Sequence, residues 1–140
     1  MNDILHGLGA AAAFGGVGVV LLLLGILLVD ALTPGRLGHQ IWVERNRNAA
    51  VLLSSALLGI GGIVFTAILY TYEDFGKGLV STGCFGVLGL VLMAVAFWLV
   101  DVVTPGKLGA ILVDPEPHPA VWVTASCNLA VAAIVSAAIA

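Results

Sequence analysis

Two aspartates, Asp30 and Asp101, are the residues best placed for chemistry, because each stands at the end of a long apolar stretch. A helix that ends at an aspartate sets a carboxylate against the negative end of its macrodipole, so the carboxylate needs compensating donors. Each aspartate is followed six residues later by a base, Arg36 or Lys107. The sequence therefore predicts a compensated carboxylate at the end of two helices.

A Thr-Pro-Gly tripeptide lies between each aspartate and its base. The two copies are Thr33, Pro34 and Gly35, and Thr104, Pro105 and Gly106. Proline fixes φ at the second position of a tight turn and glycine supplies positive φ at the third. In one interpretation each aspartate accepts backbone N–H groups and pairs with its base. In the other, Asp30 and Asp101 face each other and bind a cation at a mouth, although two carboxylates alone make a poor metal site. We predict no metal and no cofactor.

The two loops diverge after this shared block. The first contains Trp42, Arg45 and Arg47, which we interpret as contacts to lipid headgroups or to a partner, and Asn48, a predicted N-cap of the next helix. The second, 110–119, is acidic, and its alternating prolines predict that it forms no helix. An alternative is that the unlike loops dock on each other or on a neighbouring protein.

The low charge of the chain excludes several classes of protein. Of 140 residues, 5 are Lys or Arg and 8 are Asp or Glu, 61% are hydrophobic, and the net charge is -3. Soluble domains carry about 25% charged residues, so a water-soluble enzyme is excluded. Nucleic acid is excluded as a partner because the chain has too few clustered Lys and Arg residues to neutralise phosphates. An integral membrane protein remains.

Four uncharged tracts, 7–29, 48–72, 78–100 and 119–140, are long enough to cross a bilayer. We predict an all-α membrane protein with spans at roughly 10–29, 49–70, 79–100 and 120–140. The first tract is expected to stay in the mature protein because no Lys or Arg precedes it. No span contains Asp, Glu, Lys, Arg or His, which argues against proton-coupled transport and haem binding.

The spans contain polar uncharged residues and small residues in place of charged ones. Asn128 is strongly polar at mid-depth, and we expect it to bond a neighbouring helix through Ser126 or Thr124, or to line a pore. Small residues recur at helical spacing in two stripes, read as close helix contacts within the chain or between subunits. They are Ser55, Gly59, Gly62 and Thr66 in the second span, and Gly83, Gly86 and Gly89 in the third.

The chain also matches itself at an offset of 71 residues. Residues 2–69 align with 73–140 without a gap, and 23 of the 68 pairs are identical. This predicts two tandem two-helix repeats, 1–72 and 73–140, in the same orientation and related by a pseudo-twofold axis along the membrane normal.

Loop charge predicts the orientation of these repeats. The two loops that carry Thr-Pro-Gly hold four of the five bases, and the other side has only Lys77. The positive-inside rule therefore predicts that those loops are cytoplasmic and that both termini are outside. Aromatic residues fit two interfacial belts, with Trp42, Trp98 and Trp122 on the loop side and Tyr70, Tyr72 and Phe75 on the other.

Three features together resemble the YjfL-like family of bacterial inner-membrane proteins. They are the tandem hairpins, the block Asp-x-x-Thr-Pro-Gly-[Arg/Lys]-Leu-Gly, and Asn48-Ala-Ala followed by Ser-Ser-Ala-Leu-Leu-Gly. The family is one of unknown function, and the resemblance implies an inner-membrane location and a role in envelope physiology. We predict a non-enzymatic protein that acts by association, as a homo-oligomer or as an accessory subunit of a membrane complex. The alternative is a channel, transporter or sensor for small cations such as polyamines.

Overall fold

A computed structural model describes residues 1–71, 73–114 and 116–140, so Tyr72 and Pro115 lie outside the described residues. The described residues form helices and connecting turns, without a strand. In chain order the helices are α1 (Asn2–Leu32), α2 (Leu37–Trp42), α3 (Arg47–Thr71), α4 (Phe75–Val103), α5 (Leu108–Val113) and α6 (Pro119–Ile139).

Four of these helices, α1, α3, α4 and α6, are long and apolar enough to span a membrane. The prediction of an all-α protein with four spans is confirmed, and each predicted span lies in one of them apart from the final residue, Ala140. The largest difference is at α1, which begins at Asn2 instead of near residue 10. Its extra turns tolerate polar residues: Asp3 suits the positive end of the macrodipole, and His6 Nδ1 bonds the Asn2 carbonyl at 2.7 Å.

The short helices α2 and α5 correct the prediction for the loops. Residues 110–113 of the second loop are helical, because the prolines that prevent helix formation begin only at 115. Asp114 takes the extended backbone, with φ −68° and ψ 130°, that a residue before proline prefers. α2 and α5 lie at the same end of the bundle, which we call the loop face.

α3 is the central helix, because it packs against α1, α4 and α6. Two buried apolar clusters fill the bundle. One, near the loop face, surrounds Leu52 and Leu108, and the other surrounds Ile60 and Ile63.

The packing departs in one respect from the predicted twofold symmetry. An axis that exchanges α1 with α4 and α3 with α6 would make the α3–α4 and α6–α1 contacts equal. α3 packs closely on α4, whereas α1 and α6 barely touch. α1 is therefore the peripheral helix, and the division of the chain at residue 72 stays a prediction.

Candidate functional site at the loop face

Asp30 and Asp101 make the same hydrogen bond in their respective turns. Asp30 Oδ1 accepts the backbone N–H of Leu37, and Asp101 Oδ1 accepts that of Leu108, each at 2.7 Å. Each carboxylate thus bonds the first residue of the following short helix, whose free N–H groups need acceptors. The compensating donor that the helix end requires is a backbone amide.

The glycines of both turns adopt the predicted positive φ, +86° at Gly35 and +91° at Gly106. The predicted pairing with Arg36 and Lys107 is not formed: within the described residues the ion pairs are His39–Glu44 and Lys77–Asp74. Each carboxylate instead bonds the N–H of the residue that follows the base. Both bases are exposed.

The two turns differ in what covers them. Gly109 of α5 lies against the first turn, where an added Cβ would be 2.9 Å from Pro34 Cδ. Its counterpart Gly38 has nothing within 4 Å of an added Cβ, so the second turn lacks the matching contact. Thr33 is buried, whereas Thr104 is half-buried.

Side-chain bonds around the turns differ in the same way. Gln40 Nε2 donates to the Pro34 carbonyl at 2.7 Å across the first turn, and Ile111 stands at the matching position of the second. The Thr104 hydroxyl donates to the Val100 carbonyl, whereas Thr33 Oγ1 and Gln40 Oε1 are buried without a hydrogen-bond partner. The polar groups at the first turn are therefore incompletely satisfied.

Two buried asparagines tie the loops together. Asn46 Oδ1 accepts the N–H groups of Asn48 and Ala49, so Asn46 takes the capping role that we predicted for Asn48. Asn46 Nδ2 also donates to the Leu112 carbonyl at 3.1 Å. The cap of α3 is thus bonded to α5.

Asn48, two residues further on, holds the second loop. Its Nδ2 donates to the carbonyls of Asp114 at 3.0 Å and Glu116 at 2.8 Å, and its Oδ1 accepts the His118 N–H at 3.4 Å. This role of Asn48 was not predicted from the sequence, because its partners are 66 to 70 residues away. A signal existed: a proline-rich segment has fewer N–H groups than carbonyls, so donors must come from elsewhere.

Asn128 bonds a neighbouring helix as expected, but through a different residue. Its Nδ2 donates to Ser55 Oγ of α3 at 3.0 Å, and both side chains are buried. The predicted partners Ser126 and Thr124 instead bond carbonyls of their own helix, one turn back. The cavity beside Asn128 is about 20 Å³, enough for about one water molecule.

The predicted small-residue stripes divide into two groups. Gly59, Gly86 and Gly89 lie in contact with neighbouring helices; an added Cβ on Gly59 would be 2.6 Å from Met93 Cε, and one on Gly89 would be 2.5 Å from Ile63 Cδ1. Gly62 and Gly83 have nothing within 4 Å of an added Cβ. Thr66 bonds the Gly62 carbonyl of its own helix.

The family of the chain follows from comparison with known proteins. A model described as Domain of Unknown Function (DUF350) matches residues 3–139. The chain belongs to the DUF350 family. It is 32% identical to a UPF0719 transmembrane protein of Mycolicibacterium paratuberculosis, over 99% of this chain and 92% of that protein. UPF0719 transmembrane proteins of Mycobacterium bovis and Mycobacterium tuberculosis are also 32% identical, over 99% of this chain and 91% of each relative. No solved structure matches the chain significantly.

This membership supports part of the resemblance. The DUF350 chain is a multi-pass membrane protein of an uncharacterised family, as the resemblance implied. The more specific name, YjfL-like, stays a prediction.

The remaining candidates of the DUF350 chain lie in its first loop and are exposed. The side chain of Trp42 is 84% exposed, and Arg47 lies at the start of α3. Arg45 adopts φ +54°, in a left-handed conformation that costs about 1–2 kcal/mol for a residue with a Cβ. The loop therefore presents an indole and two guanidinium groups outside the packed bundle.

Proposed function

We propose that this protein acts by association within a bacterial inner membrane, without catalysing a reaction, as a homo-oligomer or as a subunit of a larger membrane complex. We also propose that its two halves arose by duplication, and that the loop face is cytoplasmic and the termini are outside. The identical Asp30 and Asp101 bonds support the duplication. The excess of bases in the two loops supports the orientation.

The outward face of α1 carries the proposal of association. Gly9, Ala12 and Gly16 follow one another at helical spacing and are exposed. They lie opposite the residues through which α1 packs on the bundle, among them Phe14 and Leu21. An added Cβ on Gly9 or Gly16 would meet nothing within 4 Å.

The glycines of this face reduce the stability of α1, and no packing contact with the described residues of the chain offsets that loss. Glycine in a helix is about 1 kcal/mol less favourable than alanine. In membranes, small residues at this spacing let a second helix approach closely, and the contact then offsets the cost. The equivalent positions on α4, 71 residues later, include Val80 and Val87, so this face belongs to the first half alone.

The experiment replaces Gly16 by leucine and measures the mass of the assembly by native mass spectrometry in mild detergent. The wild-type protein is expected as a multiple of 14.3 kDa or with a stoichiometric partner chain. Gly16→Leu is expected to release the single chain, because the added side chain blocks close approach at a position where an added Cβ has nothing within 4 Å.

Val87→Leu is the matched control, since it enlarges the equivalent position of α4, where the residue is already 49% exposed and large. It should leave the assembly intact. A wild-type protein that is a single chain without a partner, or an assembly that survives Gly16→Leu, would contradict the proposal.

The alternative, a channel, transporter or sensor for small cations, has less support. Asn128 is bonded to Ser55 beside a cavity of about 20 Å³, and Asp30 and Asp101 each bond a backbone amide. We therefore retain association as the leading function.

A further inference from the structure

A groove of about 620 Å³ opens at the loop face, between the start of α3 and the start of α6. Its lining is divided along its length. Arg47 and His118 line the end next to the loops, and Val51 and Trp122 line the part that continues along the helices. The groove therefore has a polar end and an apolar wall.

The polar end favours an anion. Arg47 is exposed and forms no ion pair with any carboxylate of the described residues. Nδ1 of His118 accepts the Ala120 N–H at 3.1 Å, so the proton of the neutral ring is on Nε2, which is a donor. The positive macrodipole ends of two long helices add to this potential.

The nearest acidic residues do not line the groove. Asp114 and Glu116 lie in the neighbouring loop, where Asp114 Oδ1 accepts the Glu116 N–H at 3.0 Å. Arg47 is thus the formally charged residue among those that line the groove.

Exposed tryptophans mark the depth of the groove in the bilayer. Trp122 is 67% exposed, and Trp42 and Trp98, at the same end of the bundle, are 84% and 61% exposed. Indole rings concentrate at the headgroup level of membranes. His118 lies one helical turn before Trp122, about 6 Å further from the bilayer centre along the axis of α6.

We propose that this groove binds an anionic phospholipid, whose phosphate contacts Arg47 and His118 and whose acyl chain lies along Val51 and Trp122. Charge complementarity selects the headgroup, and the apolar wall at bilayer depth selects a lipid over a free anion. The proposal is independent of association through α1, because the groove and the outward face of α1 involve different helices.

The experiment titrates the purified full-length protein in detergent with phosphatidylglycerol or with phosphatidylcholine of the same acyl chains. Native mass spectrometry gives the fraction of protein that retains one lipid. We expect preferential retention of phosphatidylglycerol. Arg47→Gln should reduce that preference about fivefold, the factor that one base near an anionic lipid contributes.

Arg36→Gln is the control, because Arg36 is an exposed base of the same loop that does not line the groove. It should preserve the preference, and Arg47→Lys should preserve most of it. Val51→Trp, which places a larger side chain in the groove at its apolar wall, should reduce retention of both lipids. Equal retention of the two lipids by the wild type would overturn the proposal, and so would equal losses from Arg36→Gln and Arg47→Gln. Inorganic phosphate that displaces phosphatidylglycerol at millimolar concentration would identify a free-anion site instead.

Discussion

The turn after α1 and the turn after α4 share one sequence block but have different surroundings. In each, an aspartate at the end of a long helix accepts an N–H from the next short helix at 2.7 Å, and a glycine takes positive φ. At the first turn α5 contacts Pro34, Thr33 is buried, and two buried polar atoms lack partners, whereas Thr104 of the second turn is half-buried. The local geometry is thus specified by the block itself, and its burial by the rest of the chain.

The same contrast holds along the spans. Gly86 of α4 is in contact with Leu21 of α1, whereas Gly15, its counterpart in α1, meets nothing. Asn48 holds the second loop, and the equivalent residue of the second half is Pro119. Equivalent positions therefore have different uses: Gly86 and Asn48 are packed inside the fold, whereas their counterparts Gly15 and Pro119 are exposed.

The largest effect is expected from alanine at Gly86 compared with alanine at Gly15. An added Cβ on Gly86 collides with Leu21, which is 3% exposed and cannot move freely, so Gly86→Ala should destabilise the fold by about 1–3 kcal/mol. Gly15→Ala should stabilise it by about 0.5–1 kcal/mol, because alanine is the better helix residue and the site is open. Unfolding in dodecyl sulfate, followed by tryptophan fluorescence, measures both.

Each of these two variants is the control for the other, since both make the same change at equivalent repeat positions. Similar unfolding midpoints for the two would show that the α1–α4 contact is not the close packing described above. The proposed difference in packing between Gly86 and its counterpart Gly15 would then be wrong.

The separation along the chain between interacting residues decided which of these features could be predicted from the sequence. The four spans, the Thr-Pro-Gly turns and the positive φ of Gly35 and Gly106 depend on nearby residues, and the sequence predicted them. The cap at Asn46 was missed by two residues, because Asn46 and Asn48 are both good caps and only the fold chooses between them.

Features that depend on distant residues were not predictable in detail. Asn128 was expected to bond another helix, but that Ser55 would be the partner depends on how α3 and α6 meet. Several glycines of α1 have open space around them and several of α4 are in close contact with a neighbouring helix, but the sequence does not distinguish the two groups. Only the packing of the helices does. The bonds from Asn48 to the proline-rich loop join segments that are 66 or more residues apart.

The second largest effect is expected at Asn48. Asn48→Ala removes the donor to the carbonyls of Asp114 and Glu116 and should destabilise the fold by about 2 kcal/mol, because the site of this amide is buried. Compared with the wild type, the variant should show faster hydrogen exchange at residues 111–114 and at Glu116 and His118, and little change in the long helices. Asn48→Asp keeps the acceptor and the size but removes the donor, so it should be at least as destabilising.

Ser126→Ala is the control for Asn48, because Ser126 bonds only a carbonyl of its own helix and is exposed. It should change stability by less than about 0.5 kcal/mol. If Asn48→Asp were as stable as the wild type, the bonds to the second loop would not contribute to the asymmetry between the halves.

The smallest effect, and the one that tests the comparison of the two turns most directly, is expected from alanine at Asp30 and at Asp101. Both variants remove the acceptor of one N–H group, at Leu37 or at Leu108, and each should destabilise the fold by about 1 kcal/mol. The two losses should be similar, because Leu37 and Leu108 are both buried and each freed amide is therefore shielded from water. Chemical unfolding of the two variants gives the difference. Arg36→Ala and Lys107→Ala should have almost no effect, since neither base pairs with its aspartate. A loss from Arg36→Ala as large as that from Asp30→Ala would mean that the base does compensate the carboxylate in the membrane. A clearly larger loss from Asp30→Ala than from Asp101→Ala would mean that the contact of α5 with the first turn strengthens the bond of Asp30.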